Sequence, residues 1–178
     1  MIEENFMITS ELYKPGTKLL SASNLSAAFT GKMAREGSSD RSSENPVKKR
    51  ILLIQEVMAI LDVNTYILEA KGYDVVCARD GSMGIELFDE AQHQGLPFDV
   101  VMVDLYMHRC PGGPETIRRL REIDPEVRMI AFIDFFDAKT RTFFPENAFS
   151  GVLQKPYRIQ ELYDAVSRVI SGTKLHPL

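Results

Sequence analysis

The sequence predicts a doubly wound α/β domain preceded by a polar tail, and three observations carry that prediction. Short, unbroken apolar runs recur from residue 48 onward, as strands buried on both faces of a parallel sheet require. Segments with apolar residues at helical spacing separate them, the alternation of βα units. No run approaches the roughly 20 apolar residues of a spanning helix. With 178 residues, 44% of them hydrophobic, the chain can bury one ordinary core beside a short extension, and two large domains are excluded.

The first strand is Ile51-Leu52-Leu53-Ile54, and Ile60, Leu61, Ile67 and Leu68 then lie on one stripe of a helix. Val75-Val76-Cys77-Ala78 is the second strand, followed by a helix that carries Ile85 and Phe88 inward. Val100-Val101-Met102-Val103 is the third, with Ile117 and Leu120 on its helix. After the fourth, Met129-Ile130-Ala131-Phe132-Ile133, a helix belongs on residues 137–148, where Pro145 would break or restart it. Phe143 and Phe144 either pack inward there or form an unusual interaction surface. Gly151-Val152-Leu153 is the fifth strand, and Leu162, Val166, Val169 and Ile170 stripe the last helix. The count is (βα)5. Right-handed crossovers on both faces give a five-stranded parallel sheet, for which the flavodoxin-like strand order 2-1-3-4-5 is the common solution.

Serine separates this domain from what precedes it, with eight before residue 48 and four after. Residues 1–47 read as a disordered or weakly structured tail, residues 48–172 as the domain and residues 173–178 as a C-terminal tail. From Glu36 to Pro46 the tail is too poor in apolar residues to offset the entropy of ordering. Between Ile8 and Leu20, a short docking turn or a plain extension would both suit a segment interrupted by Pro15-Gly16. Met33 offers an alternative translation start. Lys+Arg number 21 against 25 Asp+Glu, a net charge of −4, so neither nucleic acid nor an anionic membrane is an expected partner. Met1-Ile2-Glu3-Glu4 lacks the basic start of a signal peptide, which points to the cytoplasm. Cys77, in a strand, and Cys110 lack metal-type spacing and read as free thiols, with Cys77 buried.

Ligands of doubly wound folds bind beyond the carboxyl ends of the strands. Those ends carry Gln55-Glu56, Asp104, Ile133-Asp134 and Lys155-Pro156. Carboxylates suit Mg²⁺ and an ammonium suits phosphate oxygens, so the set points to a divalent cation and a phosphoryl group. Asp99 opens the third strand instead of ending it and reads as structural. Four segments match one family: Ile51-Leu52-Leu53-Ile54-Gln55-Glu56; Gly72-Tyr73-Asp74-Val75-Val76; Phe98-Asp99 through Asp104-Leu105-Tyr106-Met107; and Leu153-Gln154-Lys155-Pro156-Tyr157. On these, and on the Ile133-to-Lys155 spacing, the chain from Arg50 to about Gly172 resembles a response-regulator receiver domain of two-component phosphorelay signalling.

The resemblance implies that Asp104 takes a phosphoryl group from a sensor histidine kinase or phosphotransfer protein, with Lys155 on the phosphoryl oxygens and a cis bond before Pro156. It implies Mg²⁺ held by Glu56, Asp104 and the backbone carbonyl of Tyr106, with Gln55 as a further candidate. Four residues depart from the family pattern. Gln55 removes one carboxylate of the acidic pair, which predicts weak Mg²⁺ binding. Ile133 stands where a Thr or Ser hydroxyl normally contacts the phosphoryl group. Asp134 puts a carboxylate where a small residue leaves room, and it would repel an acyl phosphate unless it joined the metal shell. Val152 replaces the aromatic switch residue three positions before Lys155.

The loop His108-Arg109-Cys110-Pro111-Gly112-Gly113 brings an imidazole and a guanidinium near Asp104 but reads chiefly as solvated, and Arg118, Arg119 and Arg121 as the wet face of the third helix. The leading reading is a stand-alone receiver that signals by protein contact and is not an enzyme; homodimerisation is left open. The alternative is a degenerate receiver acting as a phosphorylation-independent interaction or dimerisation module. A flavin or nucleotide enzyme on the same scaffold lacks its phosphate-binding loop, because Gln55-Glu56-Val57-Met58 offers acid and bulk after the first strand.

Overall fold

In the computed structural model the described residues are 47–134 and 149–172, together with the backbone of Met7–Ile8. The chain runs β1 (Met7–Ile8), β2 (Arg50–Ile54), α1 (Met58–Ala70), β3 (Asp74–Ala78), α2 (Gly81–His93), β4 (Val100–Asp104), α3 (Gly113–Ile123), β5 (Met129–Ile133), β6 (Gly151–Gln154), β7 (Tyr157–Arg158) and α4 (Ile159–Ile170). The helix expected on residues 137–148, with Phe143, Phe144 and Pro145, lies outside the described residues, as do Met33 and residues 173–178.

Alternation along the strands explains why each apolar run builds two cores. Ile51, Leu53, Val100, Met102, Ile130 and Phe132 point to one face of the sheet, where α1 and α4 cover them. Their neighbours Leu52, Ile54, Val101, Val103, Ala131 and Ile133 point to the other, under α2 and α3. The sheet is parallel and five-stranded, with order β3-β2-β4-β5-β6; counted among themselves, its strands run 2-1-3-4-5, the flavodoxin-like order. Buried Phe88 from α2 and Leu120 from α3 fill the second core.

Local chemistry sets the helix ends. Asp80 starts α2 by accepting the Met83 N–H at 2.9 Å, one of the donors a helix N-terminus leaves without a partner. Gly72 follows α1 with φ +91°, a left-handed conformation that suits glycine. At the start of α3 a side chain on Gly113 would lie 2.5 Å from Leu105 Cα and 2.6 Å from Asp104 O. That helix therefore rests directly on the backbone of the strand end. Asp99 behaves as the sequence predicts: it accepts the Arg50 N–H at 2.9 Å and pairs with Lys49 at 3.0 Å, tying β2 to β4 at the edge away from the strand ends.

Two features differ from the sequence reading. Cys77 is half-buried, not buried, because β3 is an edge strand; its thiol lies 3.0 Å from Thr65 Oγ1, and burial pushes it above the usual thiol range. Met7–Ile8, within the segment read as tail, pairs antiparallel with Tyr157–Arg158, Ile8 opposite Tyr157 and Met7 opposite Arg158.

Candidate functional site

Register brings the strand ends together. Ile54 lies beside Val103, Asp104 beside Phe132, and Ile133 beside Gln154, so the residues that follow β2, β5 and β6 meet around the last residue of β4. Asp104 is only 5% exposed, and a buried carboxylate has to find partners. Its Oδ2 accepts from Lys155 Nζ at 2.7 Å and from Gln55 Nε2 at 3.3 Å, while Oδ1 accepts the Tyr106 N–H at 3.0 Å. The Lys155 side chain is 8% exposed. Its ammonium also stands 3.3 Å from Asp134 Oδ1, an oxygen that makes no hydrogen bond. One lysine thus serves two carboxylates. The peptide bond before Pro156 is cis, and so is that between Cys110 and Pro111.

Glu56 faces the loop after β4. Its Oε2 accepts the His108 N–H at 2.7 Å, with His108 Nδ1 at 3.6 Å, and Arg109 Nε lies 3.5 Å from Oε1. The loop read as simply solvated is therefore strapped to the end of β2, although His108 and Arg109 remain exposed. Ile133 is buried and brings no polar group to the site. Val152 packs, half-buried, against the core under α2 and α3. Arg118 and Arg119 pair with Glu115 at 2.7 and 2.8 Å on an exposed face of α3, and these arginines hold the Glu115 carboxyl down at about 2.

Gln55, a further candidate for the metal, here donates to Asp104. Asp104 is a pure acceptor when ionised, so the Gln55 amide must turn its NH₂ toward it, and Gln55 Oε1 is then left to accept from Asn64 Nδ2 at 3.3 Å. Asn64 also donates to Tyr157 Oη at 2.9 Å, and that hydroxyl donates back to Asn64 Oδ1 at 3.2 Å. Burial holds the Tyr157 hydroxyl well above the usual phenol range; the Asn64 bond opposes that and the negative Asp104 adds to it. The Tyr157 ring stacks on Phe132 with centroids 5.5 Å apart. Neither Asn64 nor Tyr157 was singled out by the sequence reading. The signal for Asn64 was present: a polar residue on the stripe that carries Ile60, Ile67 and Leu68.

The oxygen donors suited to Mg²⁺ here are the carboxylates of Asp104 and Glu56 and the main-chain carbonyl of Tyr106. Gln55 offers N–H instead of oxygen, and among the described residues no three His, Cys, Asp or Glu side chains converge on a metal-sized site. The donor chemistry fits the cation with fewer side-chain carboxylates than a strong site would bring. Among the described residues no helix is long and apolar enough to cross a membrane.

Comparison with known proteins places this arrangement. Residues 51–167 match the family model of the response regulator receiver domain. The chain is 24% identical over 137 residues to the sensor kinase CckA of Brucella abortus, covering 77% of this chain but only 14% of the kinase. It is 25% identical over 122 residues to the response regulator receiver protein CpdR of the same organism, covering 68% of this chain and 97% of CpdR. The fold superposes on a CheY-like receiver domain from Methanospirillum hungatei with a TM-score of 0.62 at 21% identity, covering 70% of this chain and 95% of that one. With the strand order, the converging strand ends and the family match over most of its length, the chain belongs to the response regulator receiver domain family.

Proposed function

We propose that this receiver accepts a phosphoryl group on Asp104 from a sensor histidine kinase or a phosphotransfer protein and passes the signal on by protein contact. The observation that carries the reading is the Lys155 ammonium, 2.7 Å from Asp104 Oδ2 and nearly buried with it. An Asp104 oxygen would attack the phosphorus of a phosphohistidine; the O–P bond forms, the P–N bond breaks and the imidazole leaves with the electron pair. Lys155 would then face the new phosphoryl oxygens and offset their charge. Glu56, Asp104 and the Tyr106 carbonyl would hold Mg²⁺, which neutralises charge on the transferring group when bound. Asp134 competes for the same ammonium, so it slows phosphorylation or shortens its lifetime.

The domain is taken as residues 48–172, flanked by tails at 1–47 and 173–178. The reading includes a stand-alone role in the cytoplasm, for which the receiver protein CpdR, matched across 97% of its length, is the parallel. The family is one of signalling domains, and no enzymatic role is assigned. Incubation with acetyl phosphate and Mg²⁺, read by intact mass, tests the proposal: wild type gains one phosphoryl group and Asp104→Ala gains none. No gain in wild type, where a control receiver is modified, sinks it.

A second reading has its own support. Gln55 already donates to Asp104, Ile133 supplies no hydroxyl, and Asp134 occupies Lys155. An Asp104 so well partnered without a phosphoryl group suits an interaction or dimerisation module that needs no phosphorylation. Failure of the acetyl phosphate experiment selects this reading.

A further inference from the structure

We propose that Tyr157–Arg158 is the seat of a strand supplied by the chain's own N-terminal segment, and that occupancy of this seat is coupled to Asp104 through the buried chain Gln55–Asn64–Tyr157. The first half rests on the antiparallel pairing of Met7–Ile8 with Tyr157–Arg158. An extended segment held on a short edge is strand addition, in which main-chain hydrogen bonds supply the affinity. The second half rests on the polar groups behind that edge. The buried polar residues among those described are Gln55, Asn64, Asp104 and Thr116. Three of the four lie in this chain, which Tyr157, 1% exposed, completes.

Such a chain has a direction. Asp104 accepts only, so it fixes the Gln55 amide with its NH₂ inward. Gln55 then presents an acceptor to Asn64, which must turn its own NH₂ to Gln55 and to Tyr157 Oη. Gln55 and Asn64 are 0% exposed, so water cannot satisfy a group that turns away. Removing the acceptor at Asp104 frees Gln55 to invert, and each following amide can then invert with it. That is an element with two discrete arrangements, which coupling between distant sites requires. It ends at Tyr157, whose hydroxyl completes the chain and whose backbone faces Ile8.

Amide hydrogen exchange on the full chain tests both halves without any phosphoryl donor, so its outcome is separate from that of the acetyl phosphate experiment. Proline at both Met7 and Ile8 removes the strand's N–H donors, and exchange at Tyr157 is expected to accelerate at least tenfold, while the Arg158 N–H, which donates to Glu161 Oε2 at 2.7 Å, serves as the internal control. Asp104→Ala is expected to change exchange at Ile8 and Tyr157 by about fivefold or more, the lower end of ordinary coupling between sites. In an Asn64→Leu background the Asp104→Ala effect disappears. Tyr157→Phe provides the same cut if Asn64→Leu does not fold, because it deletes only the hydroxyl and keeps the ring on Phe132. Unchanged exchange in the proline variant refutes the strand seat. An Asp104→Ala effect under twofold, or one that persists when the chain is cut, refutes the coupling.

Discussion

Replacing Lys155 by methionine keeps most of the side chain and removes the ammonium that two carboxylates share. The Lys155 and Asp104 side chains are 8% and 7% exposed, and removing one partner of a buried pair costs about 3–5 kcal/mol. Asp104 keeps the Gln55 and Tyr106 donors, which places the expected loss near the low end, about 3 kcal/mol, although the Asp134 Oδ1 that faces the ammonium is buried. Asp104→Asn removes the nearer of the two charges that the ammonium serves, so Lys155→Met in that background should cost only about 1 kcal/mol. The difference is a coupling of about 2 kcal/mol, within the range for residues in direct contact. Urea denaturation followed by circular dichroism measures all four corners of the cycle; with m of about 1–3 kcal/mol/M, Lys155→Met alone lowers the midpoint by roughly 1–3 M. A coupling below about 0.5 kcal/mol would mean that the two groups do not act as a pair, and the chemistry assigned to the site would fall with it.

Gly113→Ala places a methyl group 2.5–2.7 Å from backbone atoms of Asp104 and Leu105, none of which is a flexible chain end. It should destabilise the domain by about 2–3 kcal/mol, near the top of the overpacking range, and shift Asp104 amide resonances; wild-type stability would show that α3 can slide away freely. The Tyr157 phenol gives a signed pH dependence. Its folded pKa lies above the ordinary 10.0 through burial, so its neutral form contributes in full below pH 10, and the contribution is lost as the unfolded chain ionises above it. Thermal unfolding should therefore fall off more steeply above pH 10 in wild type than in Tyr157→Phe, and parallel curves would refute the assignment.

Much of the fold was written in the apolar runs because parallel strands are buried on both faces, and no other element of this size tolerates four consecutive large apolar residues so well. What periodicity missed were polar strand ends. Arg50, Asp74 and Gln154 join the sheet through main-chain pairing, which carries no hydrophobic mark. The two-residue strands β1 and β7 are illegible because two residues are too few to show a period. Cys77 shows the converse error: its run looks like a central strand, but β3 lies at the edge, and position in a sheet is a property of the whole fold. At the site, Asp104 and Lys155 announced themselves as chemistry at strand ends. Gln55 did not, because an amide offers an oxygen or a nitrogen and only its neighbours decide which. Asn64 was readable as the odd residue on an apolar stripe; its partner Tyr157 needed the three-dimensional path around the cis Lys155-Pro156 bond.

Glu56 spends one oxygen on the His108 N–H and the other toward Arg109. Anything that takes the lone pairs now turned to residues 108–109, a cation included, displaces those contacts and loosens the loop. The apparent affinity of such a visitor is then its intrinsic affinity reduced by the work of opening, and the loop becomes its reporter: occupancy reads out as freedom of residues 108–109, even where the visitor itself is silent to the measurement.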